Sequence, residues 1–290
     1  MARDTGQTPR VVLITGASGG LGAAIAVEAA RRGFHLALNA RRADRLEAVV
    51  ELARTNGVEA IAIADDLADP EAPERIVRAA IDHFGRLDIL VNNAGVGLFG
   101  LFAEVDAADL RRQLEVNLVA PLMLAHRAIP SLAESRGVIV DIGSAITSVP
   151  NPGLGAYGAT KAGLAYWNDA LRRELRDLGI RVCLVEPGPI ATDFFAAAES
   201  GPGRPYRPLV DRPLAMWNAT AGLVARRVVD LFDRPRRRIS PLRRVVWPFR
   251  ATGLLFRLAP WLGDLAVSSL VRHHRRHPAP RSLDDARSPR

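Results

Sequence analysis

Lysine is almost absent from this chain. Lys161 is the only one, and the other 38 of the 39 basic residues are arginine. A lone ammonium kept against that background marks a place where a planar guanidinium cannot replace a compact point charge. Cysteine is as scarce: Cys183 stands alone in the apolar run 181–185, which excludes an intramolecular disulfide and fits a reducing compartment. Residues 1–10 are polar and hold no apolar signal-peptide core, so a cytoplasmic protein is expected. Uniform apolar runs of membrane-spanning length are also lacking. The best candidate, residues 251–270, is interrupted by Arg257, Pro260 and Asp264, and no bilayer-spanning helix is expected. Acidic residues thin out towards the end. Residues 201–290 hold 19 Arg against 6 Asp and Glu, a balance of +13, which leaves residues 1–200 at −5 within the overall +8. Such a block suits nucleic acid, an anionic membrane surface or an acidic partner, but it carries no recognisable nucleic-acid module and no nucleic-acid partner is expected.

What is present builds a core. The chain has 290 residues, 48% of them hydrophobic, enough for one large domain. Apolar runs at 11–15, 36–40, 60–64, 89–92, 138–142 and 182–186 read as buried strands. Between them lie helical patterns at 21–32, 44–54, 74–84, 110–132 and 159–178. This alternation predicts βαβ units and a doubly wound parallel α/β sheet, whose ligands bind beyond the carboxyl ends of the strands.

The residues that carry chemistry fall at those ends. After the first strand come Gly16, Ser18, Gly19, Gly20, Leu21 and Gly22, a GxxxGxG turn opening a helix. Its glycines let the backbone approach a pyrophosphate, whose charge the helix N-terminus favours. Arg41 and Arg42 follow the second strand. An acid there would bond a ribose 2′-hydroxyl and repel a 2′-phosphate, so two arginines favour NADP over NAD; the alternative is a solvated pair opening the next helix. Asp66 can accept from an adenine amino group or serve as a helix-start acid. Asn92, Asn93, Ala94 and Gly95 end the fourth strand, where small and amide residues suit close cofactor approach or simply a turn.

Tyr157 and Lys161 share one helix face, being four residues apart. A free phenol titrates near 10, and acid/base work near neutrality requires lowering it by roughly 2 to 3 units. One positive charge about 4 Å away, at an effective dielectric of about 20, contributes roughly 4 kcal/mol. A single well-placed lysine therefore suffices; the alternative is an ordinary surface lysine one turn from a packing tyrosine.

Taken together, these residues resemble the classical short-chain dehydrogenase/reductase family over about residues 10–241. Residues 15–22 match its TGxxxGxG loop and 92–95 its NNAG; Asn117, Ser144, Tyr157 and Lys161 match its catalytic tetrad, and Pro187, Gly188, Ile190 and Thr192 its PGxIxT stretch. The resemblance implies a single Rossmann-type domain binding NADP, with NAD possible, through Gly16, Ser18, Gly20, Leu21, Gly22, Arg41, Arg42, Asp66, Leu67, Asn92, Ala94, Gly95, Tyr157, Lys161, Pro187, Gly188, Ile190 and Thr192. It implies hydride transfer between the nicotinamide and a carbonyl carbon. Tyr157 is then the general acid/base, Lys161 lowers its pKa and holds the ribose, Ser144 donates to the carbonyl oxygen, and Asn117 anchors a relay water. No metal is implied. The glycine loop departs from many NADP-preferring relatives in lacking a basic residue near Ser18. A cofactor-sensing binding protein on the same fold, or an epimerase or dehydratase, are the rival readings.

Substrate would be gripped by residues 145–156 and 194–217, both apolar, which suits a hydrophobic ketone or secondary alcohol. Beyond 241 the family core is complete. Residues 242–277 read as an amphipathic helical extension broken at Pro248 and Pro260, with apolar and arginine faces that suit packing on the core, on a second subunit of a homo-oligomer or on a membrane interface. Residues 1–9 and 278–290 are expected to be disordered, and the histidines at 273, 274 and 277 to be solvated.

Overall fold

Strand β1 (Val11–Thr15) is wholly buried, and its side chains split by the strand period of two. Val12 and Ile14 face one layer while Val11 and Leu13 face the other. That split recurs through the sheet of this computed structural model, which describes residues 8–188, 190–191, 194, 219–265 and 268. The chain continues through α1 (Gly20–Arg31), β2 (His35–Ala40), α2 (Ala43–Arg54), β3 (Ala60–Ala64), α3 (Ala72–Phe84) and β4 (Ile89–Asn92). Then come α4 (Ala107–Leu114), α5 (Ala120–Ser135), β5 (Val138–Ile142), α6 (Gly155–Glu174) and β6 (Arg181–Val185). A short parallel pair, β7 (Ile190–Ala191) and β8 (Ala219–Thr220), precedes α7 (Ala221–Asp233), β9 (Arg238–Ile239) and α8 (Arg243–Leu258).

The seven-stranded sheet has the order β3-β2-β1-β4-β5-β6-β9, and every neighbouring pair is parallel. Helices α1, α2 and α7 cover one face and α3, α5 and α6 the other. The predicted doubly wound Rossmann-type sheet is therefore present, and its order reverses between β1 and β4, which places the cleft. Cys183 is buried in β6 as expected, with its thiol pushed up to about 12 by desolvation.

Three expectations change. The single helix expected over 110–132 is two helices joined by a π-turn, Glu115–Val119, in which one extra residue widens the coil around Asn117. By length and composition the helical stretch Ala107–Ser135 could cross a membrane, although only residues 251–270 stood out in the sequence. Here Leu124, Ala125, Ala128 and Leu132 are buried against the sheet, as in a core helix. Helix α8 runs through Pro248 and ends at Leu258, so only the second proline marks a break. Pro248 lies in the second turn, where its missing N–H removes one backbone bond, and Val246 beside it is buried and anchors the turn. Residues 1–7 and 269–290 lie outside the described residues.

Helix α8 lies against the 3₁₀ turn Ala145–Ser148, and Gly253 makes this possible. A Cβ added there would sit 1.8 Å from the Ser148 carbonyl oxygen and 2.8 Å from its carbon. Because backbone cannot swing aside like a side chain, Gly253→Ala should lift α8 from the turn at a cost of about 1–3 kcal/mol. Limited trypsinolysis would then cleave after Arg250 and Arg257 roughly tenfold faster than in the parent, since about 1.4 kcal/mol is a factor of ten. Unchanged cleavage would refute the docking.

Candidate active site

The turn after β1 closes onto the turn after β4. Thr15 Oγ accepts the backbone N–H groups of Asn93 and Ala94, each at 3.1 Å, and Asn93 Nδ2 donates back to the Thr15 carbonyl at 2.9 Å. Gly16 (φ 65°) and Gly20 (φ 55°) adopt left-handed backbone that side chains resist. A Cβ on Gly16 would meet Ala94 Cα at 2.8 Å, and one on Gly22 would meet the Gly16 carbonyl oxygen at 2.2 Å. Around Gly19, by contrast, nothing lies within 4 Å. Leu21 and Gly22 are buried, Ser18 is half-buried and Gly20 exposed. A bare backbone cradle thus opens on the N-terminus of α1, which suits a dinucleotide's pyrophosphate.

At the far end of that cleft, Arg41 and Arg42 are exposed beyond β2, and among the described residues neither takes a carboxylate partner within ion-pair distance. Asp66 is engaged: its carboxylate accepts from Ala68 N at 3.1 Å and from Arg112 at 2.9 Å. Burial works to raise its pKa, but those bonds and the charges of Arg112 and Arg41 hold it below the usual carboxylate range. The bond from Ala68 shapes the turn ahead of α3, whose N-cap is Glu71, so Asp66 does not start the helix, and an adenine contact has to share the carboxylate with Arg112, a residue the sequence reading missed. Leu67 is buried beside it.

Beneath the catalytic helix lies a polar cluster no motif announced. Asp141, in the middle of β5, is fully buried and accepts from Asn92 Nδ2 at 2.8 Å and Asn168 Nδ2 at 2.7 Å. Desolvation pushes it up to about 6, opposed by the two amides and by the charge of Lys161. Asn92 was expected to face the cofactor; its buried side chain instead serves Asp141, since a carboxylate inside a sheet needs donors. A lone acid in an apolar strand, and an asparagine seven residues past Lys161, were the signals available. Lys161 itself is 4% exposed and donates to the Ile142 carbonyl at 2.8 Å. Burial pulls its pKa down to about 8 against the pull of Asp141. Ala94 and Gly95 form the floor opposite, and a Cβ on Gly95 would lie 3.4 Å from Asn117 Oδ1 and 3.8 Å from the ammonium.

Tyr157 sits one turn before Lys161, within hydrogen-bonding reach of the Ser144 hydroxyl. Burial pushes its pKa up to about 12 and the Ser144 bond opposes this. The expectation that Lys161 lowers the phenol is not met here. The ammonium points at Ile142 and Asp141, and desolvation prevails. Phe99 and Phe194 wall the phenol, with ring centroids 5.6 and 5.8 Å from it. Ser144 also caps the 3₁₀ turn by accepting from Ile146 N at 3.2 Å. Asn117 clamps the loop after β4: its Oδ1 accepts from Val96 N at 2.8 Å and its Nδ2 donates to Val96 O at 2.9 Å. That bidentate grip fixes the floor of the site.

Pro187 is buried, and Gly188 and Ile190 follow it on the strand side of the cleft. Thr192 and residues 195–217 of the expected substrate segment lie outside the described residues. Just before Pro187, Glu186 is 4% exposed and held by Arg238 at 3.3 Å and by Arg250 of α8. Helix α8 thus packs on the core, one of the alternatives expected for the extension, and reaches the base of the stretch expected to close over the nicotinamide.

Residues 10–202 match the family model described as short chain dehydrogenase. The chain is 40% identical over 187 residues to an 11-beta-hydroxysteroid dehydrogenase-like protein of Arabidopsis thaliana, a match covering 64% of this chain and 60% of that one. It therefore spans less than two thirds of that relative's length. It is 36% identical over 187 residues to the 3-oxoacyl-acyl-carrier-protein reductase FabG of Staphylococcus aureus, covering 64% of this chain and 76% of the relative. Among solved structures, a short chain dehydrogenase from Burkholderia cenocepacia J2315 in complex with NADP superposes with a TM-score of 0.70 at 32% identity, covering 80% of this chain and 95% of the other. With the sheet, the glycine cradle and the Ser144–Tyr157–Lys161 grouping all present, the chain belongs to the short-chain dehydrogenase family.

Proposed function

We propose that the protein interconverts a hydrophobic ketone and a secondary alcohol with NADP as the preferred cofactor, Tyr157 serving as the proton donor and acceptor. The observation that carries this reading is a buried phenol within reach of the Ser144 hydroxyl and walled by Phe99 and Phe194, one turn before the buried Lys161. The bound nicotinamide supplies the hydride in reduction and takes it up in oxidation. In reduction, Tyr157 gives its proton to the carbonyl oxygen as the carbon is reduced, and Ser144 donates to that oxygen as charge develops. A phenol pushed up to about 12 stays protonated at neutral pH, the form that donates in reduction. The apolar ring wall excludes water and favours a carbonyl with apolar substituents. Lys161, charged below its value of about 8, is placed to hold ribose hydroxyls beside Gly95. Arg41 and Arg42, exposed and without a carboxylate within ion-pair distance among the described residues, support a 2′-phosphate.

Three measurements test this. Tyr157→Phe should lower kcat for ketone reduction by about 10² to 10⁴, the usual worth of a positioned proton donor, while cofactor binding persists; full activity in the variant ends the assignment. For Arg41→Ala with Arg42→Ala, the NADPH dissociation constant should rise roughly tenfold or more, as expected for lost charge-assisted bonds of about 1.5–3 kcal/mol, with NADH affinity unchanged. Equal effects on both cofactors would remove the phosphate role. Because the ammonium predominates below about pH 8 and is lost above it, NADPH affinity should be flat at lower pH and weaken as pH rises through that value. Lys161→Met should bind weakly at all pH with no such inflection.

A further inference from the structure

Helix α8 has two unlike faces. The inner one carries buried Val246 and Gly253 against the Ser148 turn, with Arg250 reaching Glu186. The outer one carries Trp247, Leu254 and Leu258, spaced by seven and four residues along one side of the coil, with 70%, 59% and 77% of their surfaces open to solvent. Past the break at Ala259, helical residues 260–265 add Trp261 at 61% and Leu265 at 65%. Large apolar side chains exposed in a row mark an interaction surface. The charge beside them narrows the partner. Arg250 and Arg257 flank the stripe on one side and are exposed, and from 242 to 265 the sequence holds four arginines against Asp264 alone.

We propose that this outer face seats the protein on an anionic phospholipid surface, with Trp247, Leu254, Leu258 and Trp261 entering the headgroup boundary and Arg257, which has no carboxylate partner within ion-pair distance among the described residues, facing lipid phosphates. An interfacial helix has this build: a narrow apolar stripe, basic margins and tryptophan at the edge. A second copy fits less well. Twofold pairing places the same patch on both sides, and the arginines bordering one stripe would meet those bordering the other. Because α8 is fixed to the turn that follows Ser144, a bilayer under the stripe would lie close to the catalytic cleft.

The test uses the full chain and reads no turnover, so it stands apart from the substrate assignment. Purified protein is floated with vesicles of phosphatidylcholine alone or of phosphatidylcholine with phosphatidylserine, beside the variant Trp247→Ser/Leu254→Ser/Leu258→Ser, whose fold is checked by NADPH binding. The expected result is flotation of the parent with the serine-lipid vesicles at least roughly tenfold above the neutral ones, weakened by salt, and its loss in the variant. Two results overturn the proposal. One is equal flotation of parent and variant. The other is no flotation of the parent together with a dimer, seen by light scattering, that the variant splits, which would assign the face to a second copy.

Discussion

A carboxylate in the middle of a sheet is the constraint around which this site is arranged. Asp141 is fully buried, and leaving such a group ionised without partners is far costlier than any single hydrogen bond is worth. Its two amide donors come from different elements, Asn92 at the end of β4 and Asn168 on α6, while the charge of Lys161 acts on it from above. Satisfying one acid therefore sets the distance between β4, β5 and α6. Those are the elements that present the Ala94–Gly95 floor, Ser144 and Tyr157. The cleft is shaped by electrostatics inside the sheet as much as by the glycine turns at its rim.

The same cluster gives a physical reason for the single lysine. Lys161 reaches the Ile142 carbonyl through a nearly closed channel, with Gly95 and Asn117 across from it. A guanidinium there would bring five donors in a rigid plane, and the described surroundings offer one carbonyl and one already bonded carboxylate. An ammonium on a thin stem needs fewer acceptors and less width. Burial draws the pKa of Lys161 down, opposed by the charge of Asp141, and that of Asp141 up, opposed first by the amides of Asn168 and Asn92 and then by the charge of Lys161.

Much of this was legible in the chain. The strands and their parallel, doubly wound arrangement followed from alternating apolar runs, because a sheet covered on both faces leaves near-continuous hydrophobic segments. The glycine turn, Ser144, Tyr157 and Lys161 were legible because each lies at a strand end or on one helix face. Side-chain direction was not. Asn92 sits in the expected motif yet turns inward to Asp141, and Asn117 grips Val96 because a π-turn rotates it, which a helical period cannot express. Phe99 and Phe194 meet Tyr157 across 58 and 37 residues of sequence respectively, and no local pattern encodes that meeting.

The phenol shows how a correct pairing can carry an incorrect sign. Four residues apart on one helix, Tyr157 and Lys161 do share a face, and a bare Coulomb estimate makes the ammonium lower the phenol. Such an estimate assumes that the charge points at the hydroxyl and that solvation is unchanged. Here the ammonium is aimed at Ile142 and Asp141, and the aromatic wall that suits an apolar substrate also strips water from the phenol. Desolvation favours the neutral form of a tyrosine, so the features that make the pocket apolar also hold the proton in place. In the proposed reaction, a group held that way would give up its proton only when a developing oxyanion beside Ser144 offers a better site than the phenolate oxygen itself, which would tie proton transfer to the hydride step that creates the charge.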